Sequence, residues 1–102
     1  MTTYELKPMY DRAKSFYGKA VVTVNDRGDA VLRSYDTDVC MITASREFLR
    51  FWKGYSVTTM RHVNDFIAQA TIFKELGKKF WDACPVRRYS WVNFYANKEQ
   101  PV

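Results

Sequence analysis

His62 is the only histidine in the chain, and it follows Arg61 in the run Ser56-Val57-Thr58-Thr59-Met60-Arg61-His62. An imidazole can serve as a general base or a metal ligand. Thr58, Thr59, Arg61 and His62 at a helix start can also hold an anion, because unpaired first-turn amides and the helix dipole favour negative charge. Each chemistry needs company. A structural zinc site takes four ligands in close-spaced pairs, whereas Cys40 and Cys84 lie far apart and no second histidine exists. No metal is expected, and both cysteines read as core. A thiol–imidazole pair wants an accessible, electropositive cysteine and a third group to orient the base. Cys40 falls in the apolar run Val39-Cys40-Met41-Ile42-Thr43, and Cys84, near Lys78 and Lys79, has no evident third partner. Four scattered glycines make no phosphate loop. No catalytic or cofactor residue is therefore expected. The remaining reading is structural: Thr58 or Thr59 caps the helix, while Arg61 and His62 bond to a neighbouring strand or loop, with Ser34, Tyr35 or Asp36 as partners for the imidazole.

A second constellation lies further along. Residues 1–45 are neutral overall, with six basic and six acidic side chains, while residues 46–102 carry the whole net charge of +5. Lys74, Lys78, Lys79, Arg87 and Arg88 are interleaved there with Phe80, Trp81, Tyr89 and Trp91. Basic side chains neutralise phosphates and exposed rings stack on bases; the same residue types serve as hot spots against an acidic protein surface. Lys74, Lys78, Lys79, Trp81, Arg87, Arg88, Tyr89 and Trp91 are accordingly the candidate partner-binding residues. The expected partner is a host protein with an acidic surface or a nucleoprotein complex, with direct nucleic-acid binding as the alternative. The positive excess argues against a mimic of the DNA phosphate backbone. Phe 7, Tyr 7 and Trp 3 are more rings than so small a core can hold, which makes a homodimer conceivable.

These residues need a scaffold, and 102 residues suit one domain spanning 1–102. The segment 1–16 has no clean period and reads as irregular. Lys19–Val24 and Ala30–Tyr35 form a hairpin about the turn Asn25–Asp29. Val39–Thr43 and Phe48–Trp52 follow as strands, the latter with Phe48, Arg50 and Trp52 on one face and Leu49 and Phe51 on the other. Met60, Val63, Phe66, Ile67 and Ala70 at helical spacing predict the main helix over about 59–73. Arg61, Asn64, Asp65, Ala68 and Gln69 fall away from that stripe, Arg61 within reach of Asp65 four residues on. A second short helix over 75–82 stops at Pro85, Val86–Tyr95 alternates as a last strand, and 97–102 is a polar tail. Segregated strands and helices give an α+β domain: an antiparallel sheet of about four to five strands with the helix on one face. No signal peptide or membrane-spanning run is read, and two cysteines make no disulfide framework, so a cytoplasmic setting is expected.

Three stretches taken together resemble a known family: Lys14-Ser15-Phe16-Tyr17-Gly18-Lys19-Ala20, Leu32-Arg33-Ser34-Tyr35-Asp36-Thr37, and Tyr55 through Phe66. They look like small uncharacterised proteins encoded by bacteriophages and mobile elements of Gram-positive bacteria. The signature positions here are Ser34, Tyr35, Thr37, Ser56, Thr58, Thr59, Arg61 and His62, and the likeness covers roughly residues 8–70. The family brings no activity with it. It implies a setting, an infected or element-carrying bacterium, in which small inhibitors of host defence nucleases, anti-CRISPR proteins among them, are common products. The expectation is a non-enzymatic accessory protein acting by macromolecular contact.

Overall fold

A computed structural model describes residues 1–70 and 77–100. Five strands, β1 (Thr2–Glu5), β2 (Ala20–Val24), β3 (Ala30–Ser34), β4 (Thr37–Ile42) and β5 (Phe48–Arg50), pair antiparallel in sequence order as a meander. Three helices follow: α1 (Val57–Ala70), α2 (Gly77–Ala83) and α3 (Trp91–Tyr95). The chain is an α+β domain with one main helix, as the order of its hydrophobic periods implies.

Alternation along the strands builds two cores. Ala20, Val22, Leu32, Val39, Cys40 and Ile42 meet Met60, Val63, Phe66 and Ile67 of α1, with Trp81 of α2 beside them. Val31, Met41 and Leu49 point the other way and meet Phe94 of α3, with Phe51 and Tyr89 packed against them. Each fully buried apolar side chain contributes about 1.5–3 kcal/mol, so both faces add to stability. A register shift between Leu32 and Arg33 moves the β4 partner from Cys40 to Asp38. The unpaired Val39 offers its carbonyl to the amides of Phe51 and Trp52 instead, which is how a bulge bends the sheet edge.

Four sequence expectations change. Thr2–Glu5, within the segment read as irregular, is an edge strand paired with β2 from Thr2↔Val24 to Glu5↔Val21. Its exposed residues carry no hydrophobic alternation to betray it. Val86–Tyr95 is not a strand: only Val86 forms a bridge, parallel to Arg50, and the chain then winds into α3. Ser90 caps that helix, its side chain accepting the Asn93 amide at 3.1 Å, and this local bond overrides the alternating pattern. The cap of α1 is Ser56 rather than Thr58 or Thr59, since Ser56 Oγ accepts the Thr59 amide at 3.0 Å. Arg61 does not pair with Asp65; it bonds Asp11, with Nε at 2.9 Å from Oδ2. The expected end of the main helix (71–73), the start of the second helix (75–76) and the last tail residues (101–102) lie outside the described residues.

α1 thus carries two stripes. One is the apolar stripe its periodicity predicts. The other is polar and equally buried: Thr59, His62 and Asp65. That stripe holds the loop between β1 and β2. Gln69 Nε2 donates to the Lys7 carbonyl at 2.7 Å, Asp65 accepts the amides of Met9 and Tyr10 at 3.0 and 3.1 Å, and Phe16 sets its ring edge-on to His62 at 4.6 Å. The loop runs antiparallel to α1 as a strap fixed at each turn.

Candidate functional site

The strap, the β3–β4 turn and the first turns of α1 enclose a cleft of about 260 Å³ lined by Ala13, Ser15, Phe16, Tyr17, Lys19, Tyr35, Thr58, Arg61 and His62. Local chemistry shapes each wall. Asp11 Oδ1 accepts the Ala13 amide and Ser15 Oγ accepts the Tyr17 amide, at 2.9 and 2.8 Å, the side-chain turns that such residues form in place of regular structure. Tyr17 (φ 54°) and Tyr35 (φ 55°) both occupy the left-handed region, where a residue with a Cβ is strained. Tyr35 sits in the two-residue turn between β3 and β4, and its amide donates to the Lys19 carbonyl at 2.7 Å.

His62 forms one wall. Its Nδ1 lies 2.9 Å from Ser34 Oγ, which in turn lies 3.0 Å from Thr59 Oγ1, a buried three-residue chain joining β3 to α1. The Tyr35 ring stands 5.9 Å from the imidazole. Burial, reinforced by the Arg61 charge and opposed by Asp11, holds the His62 pKa below its ordinary 6.5, so the ring is neutral at pH 7. The Arg61 hydrogen bond draws the Asp11 carboxyl down to about 2. Nε2 of His62 has no hydrogen-bond partner among the described residues, and Lys19 has no ion pair there.

The signature residues converge. Tyr35, Thr58, Arg61 and His62 line the cleft, with Ser34 and Thr59 bonded behind the imidazole; Ser56 caps the helix that carries four of these six, and exposed Thr37 faces Ser34 across the β3–β4 turn. Asp11, Ser15, Phe16, Tyr17, Lys19, Asp65 and Gln69 complete the arrangement, and the sequence reading assigns none of them to a site: Ser15 to Lys19 enter it only through the family resemblance, and Asp65 only as a partner for Arg61. Asp65 and Gln69 continue the Thr59–His62 spacing, the one signal that would have found the second stripe.

The basic aromatic stretch does not come together. Trp81 is buried in the α1-side core, with Nε1 donating to the Gly54 carbonyl at 2.8 Å and the Arg50 guanidinium 4.4 Å from its ring. It has no surface to offer a partner. Lys78 pairs with Asp82 and stands 5.1 Å over the Tyr55 ring, while Lys79 is exposed. At Val86 and Arg87 the chain passes along β5, the Arg87 amide donating to the Arg50 carbonyl at 2.7 Å. Arg88 is exposed, and Tyr89 and Trp91 belong to the opposite face of the sheet. Lys74 lies outside the described residues. One continuous stretch of sequence thus supplies two faces of the molecule.

On that opposite face α3 forms an aromatic ledge. Trp91 stacks on Tyr95 at 5.3 Å, and Tyr89 meets Phe51 at 4.4 Å and Trp91 at 4.5 Å. Trp91 and Tyr95 border a wider cleft of about 410 Å³ with Val21, Thr23, Val31, Arg33 and Asp38. Elsewhere the chemistry is muted. Burial raises the thiols of both Cys40 and Cys84, which suppresses the nucleophilic thiolate. Among the described residues no group of three His, Cys, Asp or Glu could hold a metal ion, and no helix is long and apolar enough to cross a membrane.

No curated protein and no solved structure matches the chain. A family model does, over residues 4–83. The match takes in the sheet from Tyr4 onward, the strap, α1, α2 and every residue of the His62 cleft, and it stops before α3. The chain belongs to a family of unknown function, DUF8033.

Proposed function

We propose that this protein is a binding module without catalytic activity, an accessory protein of the phage or mobile-element kind. In this reading it acts by occupying a host macromolecule, with a bacterial defence nuclease of the CRISPR class as the target. The observation that carries the contact role is the ledge on α3. Trp91, Val92 and Tyr95 are exposed side by side, with Arg88 exposed just before them. Tyr, Trp and Arg are the residues enriched in interface hot spots, and rings held by neighbours lose little entropy on docking. Phe94, fully buried beneath, fixes the ledge to the sheet.

The test is affinity purification from the natural host, followed by the same capture with the double variant Trp91→Ala/Tyr95→Ala. The wild type should bring down a nucleoprotein effector. The variant should retain the fold and weaken the complex about 30-fold or more, the effect of losing one hot-spot ring. Capture undiminished by the variant would remove the ledge from the interface. Arg33 favours a second reading, because it lies beside Trp91 and Tyr95 in the same cleft and would let the ledge take single-stranded nucleic acid directly. That reading requires affinity that falls steeply with salt and responds to Arg33→Glu and Arg88→Glu.

A further inference from the structure

The cleft at His62 is separate from the ledge, and its construction is hard to account for by stability alone. Tyr17 and Tyr35 hold strained left-handed backbones at φ 54° and 55° while leaving 78% and 51% of their surfaces exposed. Glycine would suit both backbones better. Such strain, when observed, points to function. Of the four non-glycine residues with positive φ among those described, these two line one cleft, where the Tyr35 ring stands 5.9 Å from the imidazole.

The remaining walls are specific in kind. His62 is buried to within 2% of its surface, its Nδ1 is committed to Ser34, and its Nε2 has no partner among the described residues. Lys19 offers an ammonium without an ion pair there, and Arg61 uses Nε and Nη2 on Asp11, leaving Nη1 free among those bonds. Ser15 and Thr58 add hydroxyls, and Thr58 brings an amide from the first turn of a 14-residue helix. Aromatic residues, the unpaired Lys19 ammonium, an Arg61 guanidinium shared with Asp11, and hydroxyl donors in one cleft suit a flat ring carrying an anionic group. The volume, about 260 Å³, falls just under the usual range for small-ligand sites of roughly 300–1,000 Å³.

We propose that the cleft between the strap and α1 binds a nucleoside monophosphate, its base between Tyr17, Tyr35 and Phe16 and its phosphate against Lys19, Arg61 and the Thr58 end of α1. His62 is then the positioning residue that accepts or donates a hydrogen bond through Nε2. The phosphate, bound beside it, favours the protonated imidazole.

Because His62 is the sole histidine, its ring signals in a proton–carbon NMR correlation spectrum need no assignment. The full chain is titrated with the four ribonucleoside monophosphates, with adenosine, and with inorganic phosphate. At least one monophosphate should shift the His62 signals saturably and raise the pH midpoint of their titration. Adenosine and inorganic phosphate should each bind about tenfold more weakly or worse, since each lacks half the contacts. Lys19→Glu should weaken binding by a similar factor. Tyr17→Gly should do so as well while leaving thermal stability equal or higher, because the ring makes almost no contact and glycine relieves the backbone. Absence of any saturable shift at about 10 mM, where a millimolar site would be nearly filled, overturns the proposal. Equal affinity for inorganic phosphate overturns the ring-binding half of it. Binding unaffected by both Lys19→Glu and Tyr17→Gly places the ligand elsewhere and overturns it too.

Discussion

Replacing Arg50 with methionine should be among the most damaging single changes in this chain. Arg50 is buried at the junction of β5, the loop after it and α2. It donates from Nε to the Trp52 carbonyl at 2.7 Å, from Nη1 to those of Trp81 and Cys84 at 2.7 and 3.3 Å, and from Nη2 to that of Gly54 at 3.4 Å. Its guanidinium lies 4.4 Å from the Trp81 ring centroid. Exchanging a buried ion pair for apolar residues can be neutral, because both partners are replaced together. Here the acceptors are backbone carbonyls and stay when the cation leaves. The two short bonds are charge-assisted and worth about 1.5–3 kcal/mol each, although the Trp81 carbonyl still accepts the Cys84 amide at 3.1 Å once the cation is gone. Counting those two, and setting the weaker contacts against relief of the buried charge, Arg50→Met should cost about 3–5 kcal/mol. That is a large part of the roughly 5–15 kcal/mol that holds a domain together, and it should lower the melting temperature by about 15 °C or more. Arg50→Lys keeps the charge, but one ammonium cannot reach carbonyls spread around a fork, so it should recover less than half the loss. The assay is urea denaturation followed by tryptophan fluorescence, reading midpoint and slope. An Arg50→Met protein within about 1 kcal/mol of wild type at unchanged slope would refute the hub reasoning.

Three further outcomes follow from particular atoms. Ser56→Ala should destabilise by about 1 kcal/mol, since it removes the α1 cap, whereas Thr58→Ala, at an exposed position, should cost under about half that; equal losses in chemical denaturation would contradict the cap assignment. Tyr89 Oη is buried with no partner among the described residues, and burial, then the Asp38 charge, pushes its pKa well above the ordinary value. Tyr89→Phe should therefore leave stability unchanged or raise it by up to about 1–2 kcal/mol, and a loss greater than about 1 kcal/mol would reveal a bond to that hydroxyl. The His62 pKa is lowered on folding, so the unfolded chain binds the proton more readily. Stability should fall as pH drops from about 7 through 6.5 and level off below the folded pKa. His62→Gln should lack this component, and identical urea-midpoint slopes for both proteins between about pH 5 and 7 would exclude the linkage.

Legibility in the sequence divided along a physical line. α1 was readable because it buries one periodic apolar face, and β2, β3 and β4 because short β-branched or apolar runs mark strands whether one face or both are buried. β1 was not, because all four of its residues are exposed and its existence rests on ladder bonds to β2. α3 was misread because Val86 to Tyr95 alternates well enough for a strand, while the outcome rests on one hydroxyl at Ser90 and the burial of Phe94. The N-cap of α1 was misplaced by two or three residues for a similar reason. Ser56, Thr58 and Thr59 are all competent caps, and only the entry path of the chain selects Ser56. Arg50 gave no sign of its importance, because carbonyl partners leave no trace in side-chain types.

The cleft was half legible for a deeper reason. Ser34, Tyr35, Thr58, Thr59, Arg61 and His62 form a recognisable set, yet the other wall comes from the strap, whose position depends on buried polar bonds. A buried Asp65 costs free energy unless its oxygens are paired, and its pairing with the Met9 and Tyr10 amides draws the strap onto α1. An apolar residue at position 65 would pack without that demand and would leave the loop unfixed. The polar stripe of Thr59, His62 and Asp65 therefore gives up part of the helix's apolar burial in return for a fixed position of the strap. What that position achieves is a concave site with rings at its mouth, where a loop would otherwise lie open on the surface. A helix face spent in this way makes physical sense when the cleft has an occupant, and the two left-handed tyrosines at its edge point to the same conclusion from an independent source of strain.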